Sequence, residues 1–475
     1  MSTNSKAGQR ILSLLDESSF VEIGALVTAR NTDFDLKQVA EASDGVITGY
    51  GLIDGKLVYV YSQDASVLNG TVGEMHAKKI ANLYDMAIKM GAPIIGLLDS
   101  AGLRLQEATD ALDAMASIYA KQALASGVIP QVSAIFGNCG GGLAIANAMA
   151  DFTYMEEKNA KLFVNTPNAL DGNYTAKCDT AAAQYVAEAG QCDGIGSEDY
   201  ILSQIRELVS MLPSNNESEA EAFDVTDDLN RACAGIEGCV GDTAILVSQL
   251  ADDNNFVEIK AESAQSMVTG FIRLNGNTVG VVANRSEVIG EDGKVEKKPG
   301  TVLCPCGCNK AAEFINFCDA FSIPVLSITN VTGFKATVEA EKKMAKAAAK
   351  LTYAFANATV PKVNVIVGKA YGSAYTVMNS KAIGCDVTIA WPNAEIGTMD
   401  AKLAAKIMYD GQASDVIDAK ASEYAALQNN VVSAAKRGYV DQIVEPADTR
   451  KYVIGAFEML YTKMEDRPAK KHGTI

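Results

Sequence analysis

"FGNCGGGLAIANAM" (Phe136–Met149) sets three consecutive glycines, with a cysteine before them, between an apolar run and a segment of helical character. A glycine-rich strand-to-helix turn commonly holds an anion on backbone N–H groups, because the main chain can approach closely there. The stretch has a twin in "GKAYGSAYTVM" (Gly368–Met378), and the spacing between the two decides how the chain is organised.

The interval from Gly137 to Gly368 is the same as that from Gly141 to Gly372. Pro93 and Pro324, Asp99 and Asn330, Gly102 and Gly333, and Pro130 and Pro361 share that offset. Further upstream "SFVEIGAL" (Ser19–Leu26) recurs as "NFVEIKAE" (Asn255–Glu262). Thr48-Gly49-Tyr50 with Asp54-Gly55 recurs as Thr269-Gly270-Phe271 with Asn275-Gly276. One offset at so many turn-forming positions implies two copies of one module, 1–240 and 241–475. Asp-Gly and Asn-Gly between alternating apolar runs predict a hairpin in each copy. "HAKKIANLYDMAIKMG" (His76–Gly91) has helical spacing and ends at a capping glycine. "PIIGLLD", "PQVSAIF" and "PKVNVIV" are short apolar strands of the buried, parallel kind. The fold class is therefore α/β. Residues 171–245 look less regular, and "LPSNNESEAEAF" (Leu212–Phe223) reads as an exposed connection.

Composition narrows the function. The chain has 475 residues, 48% apolar and 21% charged, enough for large cores. A net charge of −17 argues against nucleic acid or an anionic membrane as partner. The first thirty residues show no charged-then-apolar leader, and no apolar run approaches the roughly 20 residues of a membrane span. A soluble, cytoplasmic protein is expected. The ten cysteines read as small buried residues of a reducing compartment.

"GNCGGG" lacks both the Gly-Lys-Ser/Thr ending of a nucleotide loop and the spacing of a dinucleotide fold. The loops "LLDSAGLRLQE" (Leu97–Glu107) and "ITNVTGFKATVE" (Ile328–Glu339) leave strand ends, where ligands of α/β sheets collect. Beside a glycine-rich turn, such a loop supplies a second N–H, the two-donor geometry of an oxyanion hole. The only histidines are His76, a capping or packing residue at a helix start, and His472. No Ser-His-Asp set and no H-E-x-x-H metal motif is present. "CPCGCNKAAEF" (Cys304–Phe314) lacks a second ligand pair at zinc spacing and reads as an unliganded loop, so no metal is expected. Chemistry without an evident base suits backbone donors, with substrate or cofactor moving the proton.

The two loops, the two turns, "SQDASVLNGTVGEMHAKKI", "AWPNAEIGTM" and "KRGYVDQIVEPADTRKYVIGAFEML" resemble one family over nearly the full length. It is the carboxyltransferase subunit of biotin-dependent acyl-CoA carboxylases and decarboxylases, of the propionyl-CoA carboxylase β type. The resemblance implies two tandem crotonase-like modules (ββα superhelices), the first holding a coenzyme A ester and the second receiving biotin. It implies transfer of a carboxyl group between carboxybiotin and the α-carbon of a short-chain acyl-CoA. It also implies active sites shared between chains of a homo-oligomer, a dimer or a trimer of dimers. The partners implied are a biotin carboxyl carrier protein and separate biotin carboxylase or decarboxylase subunits.

By position, the resemblance gives Ala101 and Gly102 as the donor pair for the thioester oxyanion, and Ser373 and Ala374 as the pair for the biotin oxygen. Ser100, Gly140, Gly141, Gly142 and Thr376 fall on the coenzyme A side, and Gly333, Phe334, Tyr371 and Gly372 on the biotin side. Whether Gly140–Gly142 donate N–H groups or only let the "DSAG" loop pack closely stays open here. Asn330-Val331-Thr332-Gly333-Phe334 stands where the family has Asp-Val-Pro-Gly-Phe. Three other readings are a decarboxylase subunit, a biotin-independent crotonase-type hydratase or isomerase, and a non-catalytic scaffold. The hydratase needs an acidic pair near the hole, for which Glu107 is the candidate.

Overall fold

In the computed structural model, which describes residues 4–30, 43–290, 292–468 and 472–473, the chain divides into two units, Met1–Glu221 and Ala222–Ile475. The first is built on strands β1 (Val21–Ile23), β2 (Val46–Ile53), β3 (Lys56–Gln63), β4 (Ile94–Ser100), β5 (Gln131–Gly140), β6 (Phe152–Glu156), β7 (Lys161–Phe163) and β8 (Gly194–Gly196). They form one sheet in the order β1-β2-β3-β4-β5-β6-β8, with β7 also on β5. The opening meander is antiparallel and the remainder parallel. Asp54 and Gly55 both have positive φ (49° and 81°), the two-residue type I′ turn that the Asp-Gly pair predicts.

The second unit repeats this plan. Its strands are β9 (Phe256–Ile259), β10 (Met267–Leu274), β11 (Asn277–Asn284), β12 (Val288–Ile289), β13 (Val295–Lys297), β14 (Val302–Leu303), β15 (Val325–Val331), β16 (Gly333–Phe334), β17 (Lys362–Tyr371), β18 (Val387–Ala390), β19 (Glu395–Gly397) and β20 (Gln442–Ile443). The main sheet runs β9-β10-β11-β15-β17-β18-β20, with β19 on β17, while β12–β13 and β14–β16 form small separate pairs. Irregularities recur in register: the ladder slips between Leu98 and Ser100 in one sheet and between Thr329 and Val331 in the other. The lone bridge Val72↔Leu103 corresponds, at the repeat offset, to the pairing Leu303↔Phe334.

Each unit packs two long helices side by side, Glu74–Met90 with Ala108–Ala125 and Pro305–Ala320 with Val338–Asn357. Twin lysines anchor the first of each pair. Lys79 Nζ donates to the carbonyls of Ser43 and Val46, and Lys310 Nζ to those of Lys260, Ser263 and Met267. Each ammonium is satisfied by carbonyls that the strand ladder leaves over, which makes its burial tolerable.

Three sequence expectations change. Cys304–Phe314 is not a loop but the start of a helix: Cys304 caps it by accepting from Gly307 N–H at 3.3 Å, and Pro305 opens it. Cys308 turns into the core and Cys306 stays exposed, so the spacing is that of a helix face. The region 171–245 contains the helices Ala183–Glu188 and Glu198–Met211, the latter capped by Ser197, as well as β8. The seam falls at 221/222 rather than 240/241, because residues 222–240 pack into the second unit. Phe223 N–H donates to the Gly276 carbonyl, Cys233 N–H to the Ala447 carbonyl, and Ile236 is fully buried. Arg450, with no exposure, meets Asp252 at 2.6 Å and Asp227 at 3.3 Å.

Candidate active site

In the first unit β5 ends in the glycine run and turns into the helix Gly142–Asn147. Gly141 makes the turn with φ +60°, and its N–H is taken by the Phe163 carbonyl at 2.9 Å. The next two N–H groups, of Gly142 and Leu143, have no acceptor among the described residues, as the first turn of a helix dictates. Beside them lies the loop after β4. Gly102 has φ +100°, and a Cβ placed there would come within 3.8 Å of the Gly140 carbonyl.

The donor roles expected of Ala101 and Gly102 meet a different geometry. Ala101 N–H already donates to the Asn69 carbonyl at 3.0 Å, and Gly102 N–H to the buried Ser100 Oγ at 3.1 Å. The second unit clarifies this. By the repeat offset the partners of Ala101 and Gly102 are Thr332 and Gly333, and Thr332 N–H is likewise spent, on the Thr301 carbonyl at 2.7 Å. The partners of Gly142 and Leu143 are Ser373 and Ala374, whose N–H groups are also without an acceptor among the described residues. The free pairs are thus equivalent in the two units, and both sit at the start of the short helix.

Around the second pair, Gly372 turns the chain with φ +58°, Ser373 and Thr376 are exposed, and Ala374 is buried. The helix Gly372–Val377 packs against β16, which carries Gly333 and Phe334, both half-buried. Tyr371 is buried and its hydroxyl donates to Glu395, tying β17 to β19. Burial first, then that carboxylate, holds the phenol well above its ordinary range. The N–H that Thr332 brings, where the family has proline, is the one satisfied by Thr301, whose hydroxyl also meets that of Thr332 at 3.0 Å.

The loop 101–107 is fastened by a buried ionic cluster. Arg104, 1% exposed, lies 2.7 Å from Asp44 and 2.9 Å from Glu107, and donates to the Thr71 carbonyl at 2.7 Å. Glu107 also accepts Glu74 N–H at 2.6 Å, and so caps the helix Glu74–Met90. Glu107 is therefore fully committed, which weighs against the hydratase reading. His76 is neutral and buried: Nδ1–H donates to the Asp44 carbonyl and Nε2 accepts from Gln63. Burial, and then Arg104 nearby, push its pKa down to about 3. Cys139, under the glycine run, has its thiol pushed far up by burial and is no nucleophile. Among the described residues no group of three or more His, Cys, Asp or Glu could hold a metal ion, and no helix is long and apolar enough to cross a membrane.

Two tandem units of this topology, each offering paired N–H donors at one strand-to-helix turn, define a double crotonase-like protein. Comparison gives the family: the carboxyl transferase domain matches residues 4–475, and the chain belongs to that family. It is 38% identical to the methylmalonyl-CoA decarboxylase subunit alpha of Propionigenium modestum, covering 99% of this chain and 92% of that protein. It is 39% identical to the propionyl-CoA carboxylase beta chain of Roseobacter denitrificans, covering 99% and 93%. Among solved structures, transcarboxylase 12S with methylmalonyl-coenzyme A bound superposes with a TM-score of 0.91 at 34% identity, over 99% of this chain and 93% of that one. The chain is a carboxyltransferase.

Proposed function

We propose that this chain moves a carboxyl group between biotin on a separate carrier protein and the α-carbon of a short-chain acyl-CoA of the propionyl/methylmalonyl class. The observation that carries the reading is the pair of equivalent free donor sets, Gly142/Leu143 and Ser373/Ala374. The first unit takes the thioester: its two free N–H groups are available to the negative charge that builds on the carbonyl oxygen as the α-proton leaves. The second unit takes biotin, which supplies the transferable carboxyl group when bound. The Ser373 and Ala374 N–H groups suit the biotin ureido oxygen, and half-buried Phe334 offers an apolar flank. With His76 buried and neutral and Glu107 paired, the chain's own role is to orient the reactants and to stabilise charge.

Sharing of sites between copies of a homo-oligomer, and separate carboxylase or decarboxylase subunits, belong to the same reading. Transcarboxylase 12S assembles as a hexamer and binds substrate as a multienzyme core. Operation toward decarboxylation is the second reading, favoured by the likeness to a decarboxylase subunit. A cytoplasmic setting agrees with ten unpaired cysteines.

The test is carboxyl exchange with free biotin and propionyl-, methylmalonyl-, malonyl- and glutaconyl-CoA. Biotin-dependent turnover of a C3–C4 ester is expected. Ser373→Pro, which deletes one free N–H at a helix position that accepts proline, should abolish turnover with the fold retained. Turnover of the esters without biotin, or an active Ser373→Pro variant, overturns the assignment.

A further inference from the structure

The glycine run leaves the first donor pair on backbone with few restraints of its own. Gly141 turns at φ +60° with open space around the position of a Cβ. What restrains the pair comes from another helix. Tyr119, on Ala108–Ala125, donates its hydroxyl to the Gly142 carbonyl at 2.7 Å. A Cβ on Gly142 would sit 2.7 Å from that same oxygen, so Gly142 and Tyr119 require one another. From the same helix Gln122 Nε2 donates to the Ala146 carbonyl at 2.9 Å, one turn further along.

The Gly142 carbonyl and the Leu143 N–H belong to one planar, trans peptide unit and point in opposite directions. Fixing the first therefore aims the second, and a bond to the carbonyl also polarises the amide so that its N–H donates more strongly. The second unit is built differently: at the position equivalent to Tyr119 stands Lys350, exposed, with no phenol to offer. There Thr376 Oγ1 donates to the Gly372 carbonyl at 3.3 Å, a bond internal to its own helix.

We propose that Tyr119 is a positioning residue for the acyl-CoA half of the reaction, acting through the Gly142–Leu143 peptide to aim and strengthen the Leu143 N–H. This rests on the function proposed above. The role is specific to the transition state. The carbonyl of a bound thioester asks little of the donor, whereas the enolate oxygen asks much, so the bond contributes to kcat rather than to binding.

The experiment is Tyr119→Phe in the full chain, measured by carboxyl exchange between methylmalonyl-CoA and free biotin, with the thermal midpoint recorded alongside. The variant keeps the ring and its packing and removes only the hydroxyl. Expected is a fall in kcat of about three- to tenfold, the worth of one neutral hydrogen bond, with KM for the CoA ester and for biotin unchanged. A kcat within error of the parent overturns the positioning role, as does a loss confined to KM. A fall in kcat accompanied by raised KM for both reactants marks general loosening and overturns it equally. If the parent chain exchanges no carboxyl group with any CoA ester, the functional assignment has failed, and the proposal with it. An active parent with an indifferent variant leaves that assignment standing and removes Tyr119 alone.

Discussion

Replacing Arg104 by Met should unfasten the loop 101–107 that follows β4. The guanidinium is 1% exposed and faces two carboxylates, Asp44 and Glu107, that are themselves fully buried. Removing the cation leaves two buried negative charges, each of which then has either to be desolvated alone or to take up a proton. Breaking a buried ion pair from one side costs about 3–5 kcal/mol. For a unit of this size that is a midpoint shift on the order of 10 °C. The pH dependence fixes the cause. Burial already holds the Asp44 carboxyl above its ordinary range, against the pull of Arg104. Without Arg104 it rises further. A carboxyl whose folded pKa exceeds its unfolded value binds its proton more tightly when folded, so stability falls as pH rises through that interval. The deficit of Arg104→Met should therefore grow as pH rises above the ordinary carboxylate range, and adding Asp44→Asn should recover part of it there. The assay is urea unfolding followed by circular dichroism. Fluorescence of Trp391, the only tryptophan and fully buried in the second unit, serves as an internal reference. A loss below about 1 kcal/mol, where a buried pair should cost several times that, or a loss independent of pH, would refute the reasoning.

Other expectations are as direct. Asp151, held up to about 7 by burial with Asp193 adding to it, accepts Gln131 N–H at 2.8 Å. Stability contributed by its protonated form is lost as pH rises from about 4 through 7, so Asp151→Asn should raise the urea midpoint at pH 8 more than at pH 6. Gly137→Ala should destabilise the first unit, since the new Cβ would meet Asp99 Oδ1 at 2.0 Å and disturb the Asp99–Arg10 pair. Gly368→Ala should be milder, because the clash there is with the neutral Asn330 amide at 2.6 Å; thermal midpoints of the two variants check the order.

What the sequence showed and what it concealed divide along a physical line. The duplication was legible because Pro, Gly and Asp act locally: Asp54-Gly55 and Asn275-Gly276 specify their hairpins without help from distant residues. The helix ending at Gly91 was legible for the same reason, as that glycine caps it at φ 60°. Which N–H groups remain free was not, because it depends on carbonyls elsewhere in the chain. The Asn69 carbonyl, beyond a whole intervening helix and strand, takes the N–H of Ala101, and no spacing announces that. The offset itself held the missing signal, since it matches Ser373 and Ala374 to Gly142 and Leu143, not to Ala101 and Gly102. The Cys304 segment reads as an unliganded loop because three cysteines and a glycine show no helical period, whereas Pro305 at a first helical position was the better guide. Tyr119 and Arg104 were silent, each meaningful only through a partner that folding supplies.

The clasp of Arg450 on Asp227 and Asp252 bears on how the two halves can be separated. A second half begun at residue 241, where the repeat alone would place the cut, discards Asp227, the Phe223 ring stacked 3.6 Å under Arg273, and the buried Ile236. It leaves Arg450 sealed in the interior with one carboxylate fewer. Begun at residue 222, the same half keeps all three. The division read from the repeat and the division between compact units lie about twenty residues apart, and the stretch between them serves the second unit as wall rather than tether.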